Sequence, residues 1–221
     1  MIRVRKTVRL IRKECILHFG RGGGTAAVFI FPAAVTFTAS YILQNGSGSA
    51  QTDALILWII TYVSSLQICG AVYSAEIDGG NHYFLSHYFS IAEIYFSKLF
   101  FSSVCVLSAF FTVTLVYLFF NGLPLSVIPH TVPLLLTGSV CIAVLLSALG
   151  IITAQSGGRN ALYGILSVPL LLPPSGIVVS ALAGVLSGEA AQTEVYFFLL
   201  SFSVFVCVVS LIVFERVWKS F

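Results

Sequence analysis

Charged residues are scarce in this sequence. Only 9% of its 221 residues are Asp, Glu, Lys or Arg, whereas a soluble domain carries about 25%. Hydrophobic residues make up 58%, with 19 Phe against a single Met, and the mean hydropathy is +1.01. Eight acidic residues leave too little polar surface to cover a water-soluble protein of this size. The composition excludes a soluble fold and predicts an integral membrane protein.

The sequence also lacks the motifs of metal, redox and nucleotide sites. No two cysteines have CxxC spacing, so we interpret all five as small apolar packing residues; they are Cys15, Cys69, Cys105, Cys141 and Cys207. The glycine-rich stretch 20–24 has no Gly-Lys-Ser/Thr ending and no preceding strand, both of which a phosphate-binding loop needs. We interpret it as a flexible elbow before the first span.

Ionisable residues are almost absent from the middle of the apolar runs. Seven carboxylates lie near the ends of these runs, at Asp53, Glu76, Asp78, Glu93, Glu189, Glu194 and Glu215. An intramembrane hydrolase or a proton-coupled pump normally has buried ionisable residues. We therefore expect no catalytic site in this chain. Gln67 and Gln155 are interpreted as hydrogen bonders between helices.

The histidines give a weak indication of a cofactor site. His82 and His87 are five residues apart, so they do not share a helix face as an i, i+4 pair would. His130, at the outer end of the fourth span, is placed to meet a cofactor outside the membrane, but a single histidine also suits an interfacial polar residue. We expect no metal or haem bound directly by the chain and no nucleic-acid partner.

The first 22 residues carry seven of the eleven Lys and Arg residues. Val4, Val8, Ile11 and Cys15 recur at helical spacing, which predicts an amphipathic helix over 1–19 lying on anionic membrane lipid. With the elbow it forms a surface segment, 1–22. A secretory signal is rejected, because the charged segment is long for one and the following run is long enough to span.

Six spans can be drawn, each with at least the ~20 residues that a bilayer core requires; they cover about 24–43, 54–75, 94–120, 131–155, 161–186 and 194–214. Every Lys and Arg then falls on one side, and the loops 44–53, 121–130 and 187–193 hold none. The positive-inside rule therefore predicts that both termini are cytoplasmic. We expect one transmembrane domain over 1–221, with no soluble domain on either face.

The fifth predicted span contains Pro169, Pro173 and Pro174, followed by Gly176. Prolines remove backbone donors at membrane depth and are tolerated where protein or water satisfies the freed carbonyls. We expect a break here, with a re-entrant or tilted segment after Pro174, and a face turned toward protein or a cavity. An ordinary packing kink is the alternative.

The sizeable polar interruption between spans runs from Glu76 to Lys98 and is predicted to be cytoplasmic. It begins with an acid-glycine turn at Asp78-Gly79 and continues into an aromatic, amphipathic stretch that includes Tyr83 and Phe84. Such a stretch suits a coupling element that docks in a groove of a partner protein. We name residues 76–93 the coupling segment. An interfacial loop anchored by its aromatics is the alternative.

Four motifs of the sequence carry a family resemblance. In chain order they are Asp78-Gly79 with the tract to Lys98, Ala148-Leu149-Gly150, Gly157-Gly158-Arg159-Asn160-Ala161-Leu162, and the Pro169-x-x-x-Pro173 spacing. In the order and spacing of these motifs, the sequence resembles the CcmB family. CcmB, or haem exporter protein B, is the membrane subunit of the ABC-type transporter in system I cytochrome c maturation. The resemblance covers nearly the whole chain.

The resemblance implies an ABC-2-type exporter permease in the bacterial inner membrane, without its own ATPase. The implied partners are a CcmA-like ATP-binding subunit, a CcmC-like haem-handling subunit and a small CcmD-like subunit. ATP would be bound by the partner, and haem would be handled by the complex. The implied work is haem export or release of a haem-loaded chaperone, and either one copy or a homodimer of this chain fits.

Three other functions stay open from the residues. They are an ABC-2-type exporter of another substrate, a secondary carrier that needs no ATPase, and a structural scaffold for a haem-handling complex. Co-purification of a nucleotide-binding protein separates the carrier from the exporters. A scaffold would keep its function when the partner ATPase is unable to hydrolyse ATP.

Overall fold

The computed structural model describes residues 4–20, 23–44, 49–78, 85, 87–121, 128–153, 159–189 and 192–218, and in these residues all regular structure is helical. The helices are α1 (Val4–Phe19), α2 (23–44), α3 (Ala50–Asp78), α4 (Ile91–Asn121), α5 (Ile128–Thr153), α6 (Arg159–Leu186) and α7 (Thr193–Trp218). Within α2, a π-helical turn over Ala26–Ile30 joins two α-helical parts.

Five helices are long and apolar enough to cross a membrane, and they are the stretches Ala50–Val72, Ile91–Asn121, Ile128–Gly150, Leu162–Leu186 and Thr193–Arg216. This confirms the all-helical class, and the five candidate helices coincide with five of the predicted spans. The remaining predicted span, 24–43, corresponds to a shorter apolar helical stretch, Ala26–Ile42. That stretch falls just below the ~20 residues that a spanning helix usually needs.

Local sequence signals explain where several helices begin and end. The Ser49 hydroxyl accepts the backbone N–H of Thr52 at 3.3 Å, at the start of α3. At the end of α6, Gly188 has a positive φ of 89°. The Glu189 N–H bonds the Gly184 carbonyl at 2.9 Å and the Gly188 N–H bonds the Val185 carbonyl at 3.0 Å. These two bonds form a Schellman motif, in which glycine is favoured because the conformation is left-handed.

The larger core of the bundle is formed by buried side chains of α3, α4, α5 and α6, with Leu199 from α7. Trp58 donates its indole N–H to the Ser175 hydroxyl at 2.9 Å. One helical turn further along α3, the Tyr62 hydroxyl bonds Ser167 at 2.5 Å. The Tyr163 hydroxyl donates to the Leu146 carbonyl of α5 at 3.2 Å. Aromatic side chains with polar tips therefore join α6 to both neighbours.

The predicted break in the fifth span is wrong. Pro169, Pro173 and Pro174 lie inside one continuous helix, Arg159–Leu186. Membrane helices tolerate proline where other contacts hold the backbone, and here the inner face of α6 is held by its bonds to α3 and α5. The side chains of Pro169 and Pro173 are exposed. The face that carries these two prolines lies on the outside of the bundle within a single chain, whereas Pro174 is buried, so the expected face toward protein or a cavity is found at Pro174 alone.

Gln67 also differs from its prediction. It lies on an exposed face of α3, so it is not buried between helices of this chain, and Gln155 lies outside the described residues. The hydroxyls of the same helix bond the backbone one turn earlier, as Thr61 does with the Leu57 carbonyl at 2.8 Å. Such local bonds satisfy small polar side chains without a partner helix.

We expect Trp58→Phe to lower the free energy of unfolding by about 1 kcal/mol, because it removes the indole donor that bonds Ser175 while keeping an aromatic ring. Ile59→Phe is the control, since Ile59 of the same helix is 48% exposed and its change should have little effect. Unfolding titrations in mixed micelles measure both. Equal stabilities of the two variants would contradict the packing of α3 on α6.

Candidate functional site

The coupling segment is bounded by the end of α3 and the start of α4. Glu76 and Asp78 belong to the last turns of α3, and only their backbone is described. Gly79, Tyr83 and Phe84, together with His82, lie outside the described residues. Leu85 is 4% exposed and packs into the core cluster at this end of the bundle. Leu85, the first described residue after 79–84, therefore anchors the coupling segment to this core cluster.

The start of α4 is a capping box. The Ser90 N–H donates to the Glu93 carboxylate at 3.0 Å, and the Glu93 N–H donates to the Ser90 hydroxyl at 3.3 Å. The Ser-x-x-Glu spacing is the sequence signature of this cap, although the sequence analysis did not use it. Glu93, at the end of the predicted coupling segment, is only 4% exposed and ends that segment with a defined helix start.

Lys98 lies inside α4 and is 1% exposed. Its ammonium donates to the Val72 carbonyl of α3 at 2.7 Å and lies 3.5 Å from the Glu14 carboxylate of α1. The predicted role of Lys98 in partner coupling stays a prediction, but the side chain is buried and does not form part of an exposed docking surface. Any coupling through Lys98 has to pass through α1 and the end of α3.

Glu14 completes this contact from the N-terminal helix. It is 5% exposed and also lies 3.3 Å from the ammonium of Lys13. Burying two charges costs several kcal/mol per ion unless they are paired and hydrogen-bonded. The carboxylate of Glu14 and the carbonyl of Val72 together compensate the Lys98 charge. We name Glu14, Lys98 and the Val72 carbonyl the charge junction.

A second contact ties α1 to the far side of the coupling segment. The Lys6 ammonium donates to the Tyr88 carbonyl at 2.8 Å and lies 5.5 Å from the centre of the Phe89 ring. Both residues follow the undescribed stretch 79–84 and precede α4. Helix α1 therefore contacts the residues that follow this stretch directly, through Lys6. It is linked to the end of α3, which precedes the stretch, through Lys98. A movement of the segment would strain both contacts.

The buried face of α1 differs from the predicted one. A helix covers Val4–Phe19, where the sequence predicts one, but Leu10 and Glu14 are buried whereas Val8 is 58% exposed. The apolar pattern alone does not reveal this rotation, because a buried ion pair turns Glu14 inward. The exposed Val8 and Ile16 stay available for the lipid contact predicted for this helix.

His18 lies near the end of α1 in an aromatic pocket. Its ring meets Phe19 and Phe101 edge-on, with centroids 5.5 and 5.6 Å apart. The Nε2 atom is buried and has no hydrogen-bond partner in the described part of the chain. Burial lowers the pKa of His18 below its ordinary value of 6.5, because an apolar pocket disfavours the charged imidazolium.

The glycine-rich turn between α5 and α6 was also predicted to be cytoplasmic. Gly157 and Gly158 lie outside the described residues, and Arg159 and Asn160 begin α6 with only their backbone described. The ring of Tyr163 lies beside Gly70 of α3, where an added methyl group would be 3.4 Å from it. This contact places the start of α6 at the same end of the bundle as Asp78.

The opposite end of the bundle has its own polar contact. The Tyr117 hydroxyl of α4 donates to the Asp53 carboxylate of α3 at 2.5 Å. His130 is exposed at the start of α5. Within the ranges that the structure describes, no group of three or more His, Cys, Asp or Glu side chains is arranged to hold a metal ion.

Glu14 is the site residue that the sequence analysis missed. Two signals could have indicated the pair: Glu14 is the one acidic residue before Asp53, and Lys98 is the one basic residue between Arg21 and Arg159. An isolated charge in an apolar environment requires a compensating partner. The distance of 84 residues along the chain hid the pairing, which becomes visible once α1 packs on α4.

No family model matches this chain, and no curated protein matches it. The resemblance to the CcmB family therefore stays a prediction that depends on the motifs quoted above. The function has to be argued from the geometry at the coupling segment and from the charge pattern.

We expect Lys98→Met to lower the free energy of unfolding by about 3 kcal/mol, because it removes the buried ammonium opposite Glu14 and leaves that carboxylate with the partly exposed Lys13 as its cation. The double variant Glu14→Leu with Lys98→Met should recover most of this loss, since no buried charge remains. Lys13→Gln is the control: Lys13 contacts the same carboxylate but is partly exposed, so its loss should cost below about 1 kcal/mol. Glu14→Leu alone is measured as well. If the loss of stability in the double variant equals the sum of the losses in Glu14→Leu and Lys98→Met, the charge junction is contradicted.

The burial of His18 predicts a pH dependence of stability. The His18 imidazole binds a proton more tightly in the unfolded chain than in the folded chain. The free energy of unfolding should therefore fall as the pH drops from about 7.5 through 6.5 toward 5. His18→Gln should reduce this slope, whereas His130→Gln, at an exposed position, should keep it. Unfolding titrations across this pH range provide the measurement. An unchanged slope in His18→Gln would show that this imidazole does not cause it.

Proposed function

We propose that this chain is the membrane-spanning permease subunit of an ABC-2-type exporter that serves cytochrome c biogenesis. A separate ATP-binding subunit, CcmA-like, docks on the coupling segment 76–93 and drives the permease. A CcmC-like haem-handling subunit and a small CcmD-like subunit complete the complex. The chain itself carries no ATPase and binds no haem; its part is to convert the movement of the partner into a movement of its helices.

The charge junction is the observation that supports this proposal most. Lys98 joins the start of α4 to the Val72 carbonyl of α3 and to Glu14 of α1. These contacts lie just beyond both ends of the coupling segment. A force applied to the segment would therefore reach three helices together, and α1 would carry it along the membrane surface.

The proposed topology has six spans, with α2 as the first. Its apolar stretch Ala26–Ile42 lies within a continuous helical segment, 23–44, which at about 1.5 Å per residue measures roughly 30 Å. Ile30, Tyr41 and Ile42 are among its exposed large side chains, each above 60% exposed. An apolar exposed surface of this kind suits contact with lipid rather than with water.

The orientation follows from the charges in the sequence. All Lys and Arg residues lie in the two terminal segments, near the coupling segment or at Arg159. With six spans these positions share one side of the membrane, which is the cytoplasm under the positive-inside rule. The coupling segment and the glycine-rich turn 157–160 then face a cytoplasmic ATPase together.

Haem enters this proposal as cargo or as the ligand of a chaperone, and either haem export or release of the haem-loaded chaperone would fit. The described side chains include no metal-holding group. The work assigned to this chain is therefore mechanical: α1, α3 and α4 shift together when the partner binds and hydrolyses ATP. One copy or two copies per complex are both compatible with this role.

The experiment replaces Asp78 and Gly79 together, as Asp78→Ala with Gly79→Val, in cells that depend on this chain for c-type cytochromes. We expect the protein to insert normally, while ATP hydrolysis by the partner no longer supports cytochrome c formation. Asn45→Ala with Gly46→Ala, in the loop after the first span, is the matched control and should leave cytochrome levels unchanged.

Wild-type levels of c-type cytochromes in the Asp78 and Gly79 variant would refute the proposal. Two further outcomes would assign another function. If no nucleotide-binding protein co-purifies with the wild-type chain, a secondary carrier is favoured. If a hydrolysis-dead partner ATPase supports normal cytochrome formation, the chain is a scaffold.

A further inference from the structure

An apolar groove lies on the outer surface of the bundle beneath α1. Its volume is about 540 Å³. The walls come from α4 and α5, and they include Phe96, Leu99, Phe100, Leu107, Leu136 and Val140. Thr7 and Ile11 of α1 cover one end. The groove belongs to neither the coupling segment nor the charge junction, so the proposed function does not account for it.

The length of the groove matches one leaflet of a bilayer. Along α4 its lining runs from Phe96 to Leu107, which is about 16 Å at 1.5 Å per residue. This is roughly half of the ~30 Å hydrocarbon core. A transmembrane helix of a partner protein would need a groove along the full thickness. A single acyl chain that enters from the side on which α1 lies needs a groove of only half the membrane thickness.

The covered end of the groove offers a hydrogen-bond donor. The Thr7 hydroxyl is buried and has no partner among the described residues. Two other hydroxyls that line the groove are satisfied within their own helices: Ser103 bonds the Leu99 carbonyl and Ser139 bonds the Leu136 carbonyl. A buried hydroxyl without a partner is costly. A ligand with an acceptor at this depth would remove that cost.

One cation lies near the same end. Arg12 of α1 is exposed, and at 3.6 residues per turn it is about 100° around the helix from Ile11, on the side where Val8 is exposed. Basic residues at the membrane surface attract anionic headgroups. The groove therefore combines an apolar wall of one-leaflet length, a hydroxyl donor at its mouth, and a cation beside the mouth.

We propose that the groove is a binding site for an anionic glycerophospholipid of the leaflet on which α1 lies. One acyl chain fills the groove along α4. An ester carbonyl of the lipid accepts a hydrogen bond from the Thr7 hydroxyl, and the phosphate interacts with Arg12. The lipid then seals the contact between α1 and α4, on the side of α1 where Val8 is exposed.

The first experiment measures lipids retained by the purified full-length chain in native mass spectrometry. The two probes are dioleoyl phosphatidylglycerol and dioleoyl phosphatidylcholine, which share acyl chains and differ in charge. We expect the wild-type chain to retain phosphatidylglycerol preferentially. Val104→Trp, which fills the groove, should reduce its occupancy about tenfold. Val208→Trp, on an exposed part of α7, is the matched control and should retain it.

The second comparison tests the headgroup. Arg12→Gln should reduce phosphatidylglycerol occupancy about fivefold and leave phosphatidylcholine unchanged. Arg216→Gln, which removes an exposed arginine near the end of α7, should leave both unchanged. Equal retention of the two lipids by the wild-type chain, or equal occupancy in Val104→Trp and Val208→Trp, would overturn the proposal.

A third measurement identifies the occupant directly in membranes. A photo-crosslinking amino acid at position 104 should form adducts with the mass of a phospholipid. Adducts with a second copy of this chain or with another protein would overturn the proposal, because a protein would then fill the groove. Failure of the proposed function would not alter these results, since lipid retention requires no ATPase.

Discussion

The rest of the structure depends on the burial of one charge. Lys98 lies about two turns inside a membrane-spanning helix and is 1% exposed, where an uncompensated ammonium would be costly. The Glu14 carboxylate and the Val72 carbonyl provide the compensation. This requirement holds α1 against α4 and the end of α3. It also brings Lys6 to Tyr88 and sets Thr7 and Ile11 over the apolar groove.

The two ends of the bundle are built in different ways. The larger core, formed mainly by α3, α4, α5 and α6, depends on apolar packing and on aromatic side chains that bond across helices, as Trp58 does with Ser175. The end that carries the coupling segment instead depends on charges and on a separate cluster containing Leu10, Leu85 and Tyr95. Tyr95 bonds Ser210 of α7 there. A force applied at this end would therefore meet ionic contacts before it reaches the main core.

The sequence predicted the helices well because long apolar runs and their bounding polar residues are local signals. It also predicted that α1 is a helix. It did not predict which face of α1 is buried, since the pairing of Glu14 with Lys98 joins residues that are far apart in the chain. It placed a break at Pro173 and Pro174, because local proline chemistry does not reveal the packing that keeps α6 continuous. The coupling role of Asp78-Gly79 depends on the resemblance and stays a prediction.

The claim that the buried charge pair holds α1 on the bundle can be tested by a distance measurement. Spin labels at positions 8 of α1 and 100 of α4, both exposed in the wild-type chain, would be introduced with the native cysteines replaced by alanine. In lipid nanodiscs the account predicts one narrow distance distribution, which broadens when Lys98 is replaced by Met. A distribution that stays equally narrow in the Lys98→Met protein would contradict the account.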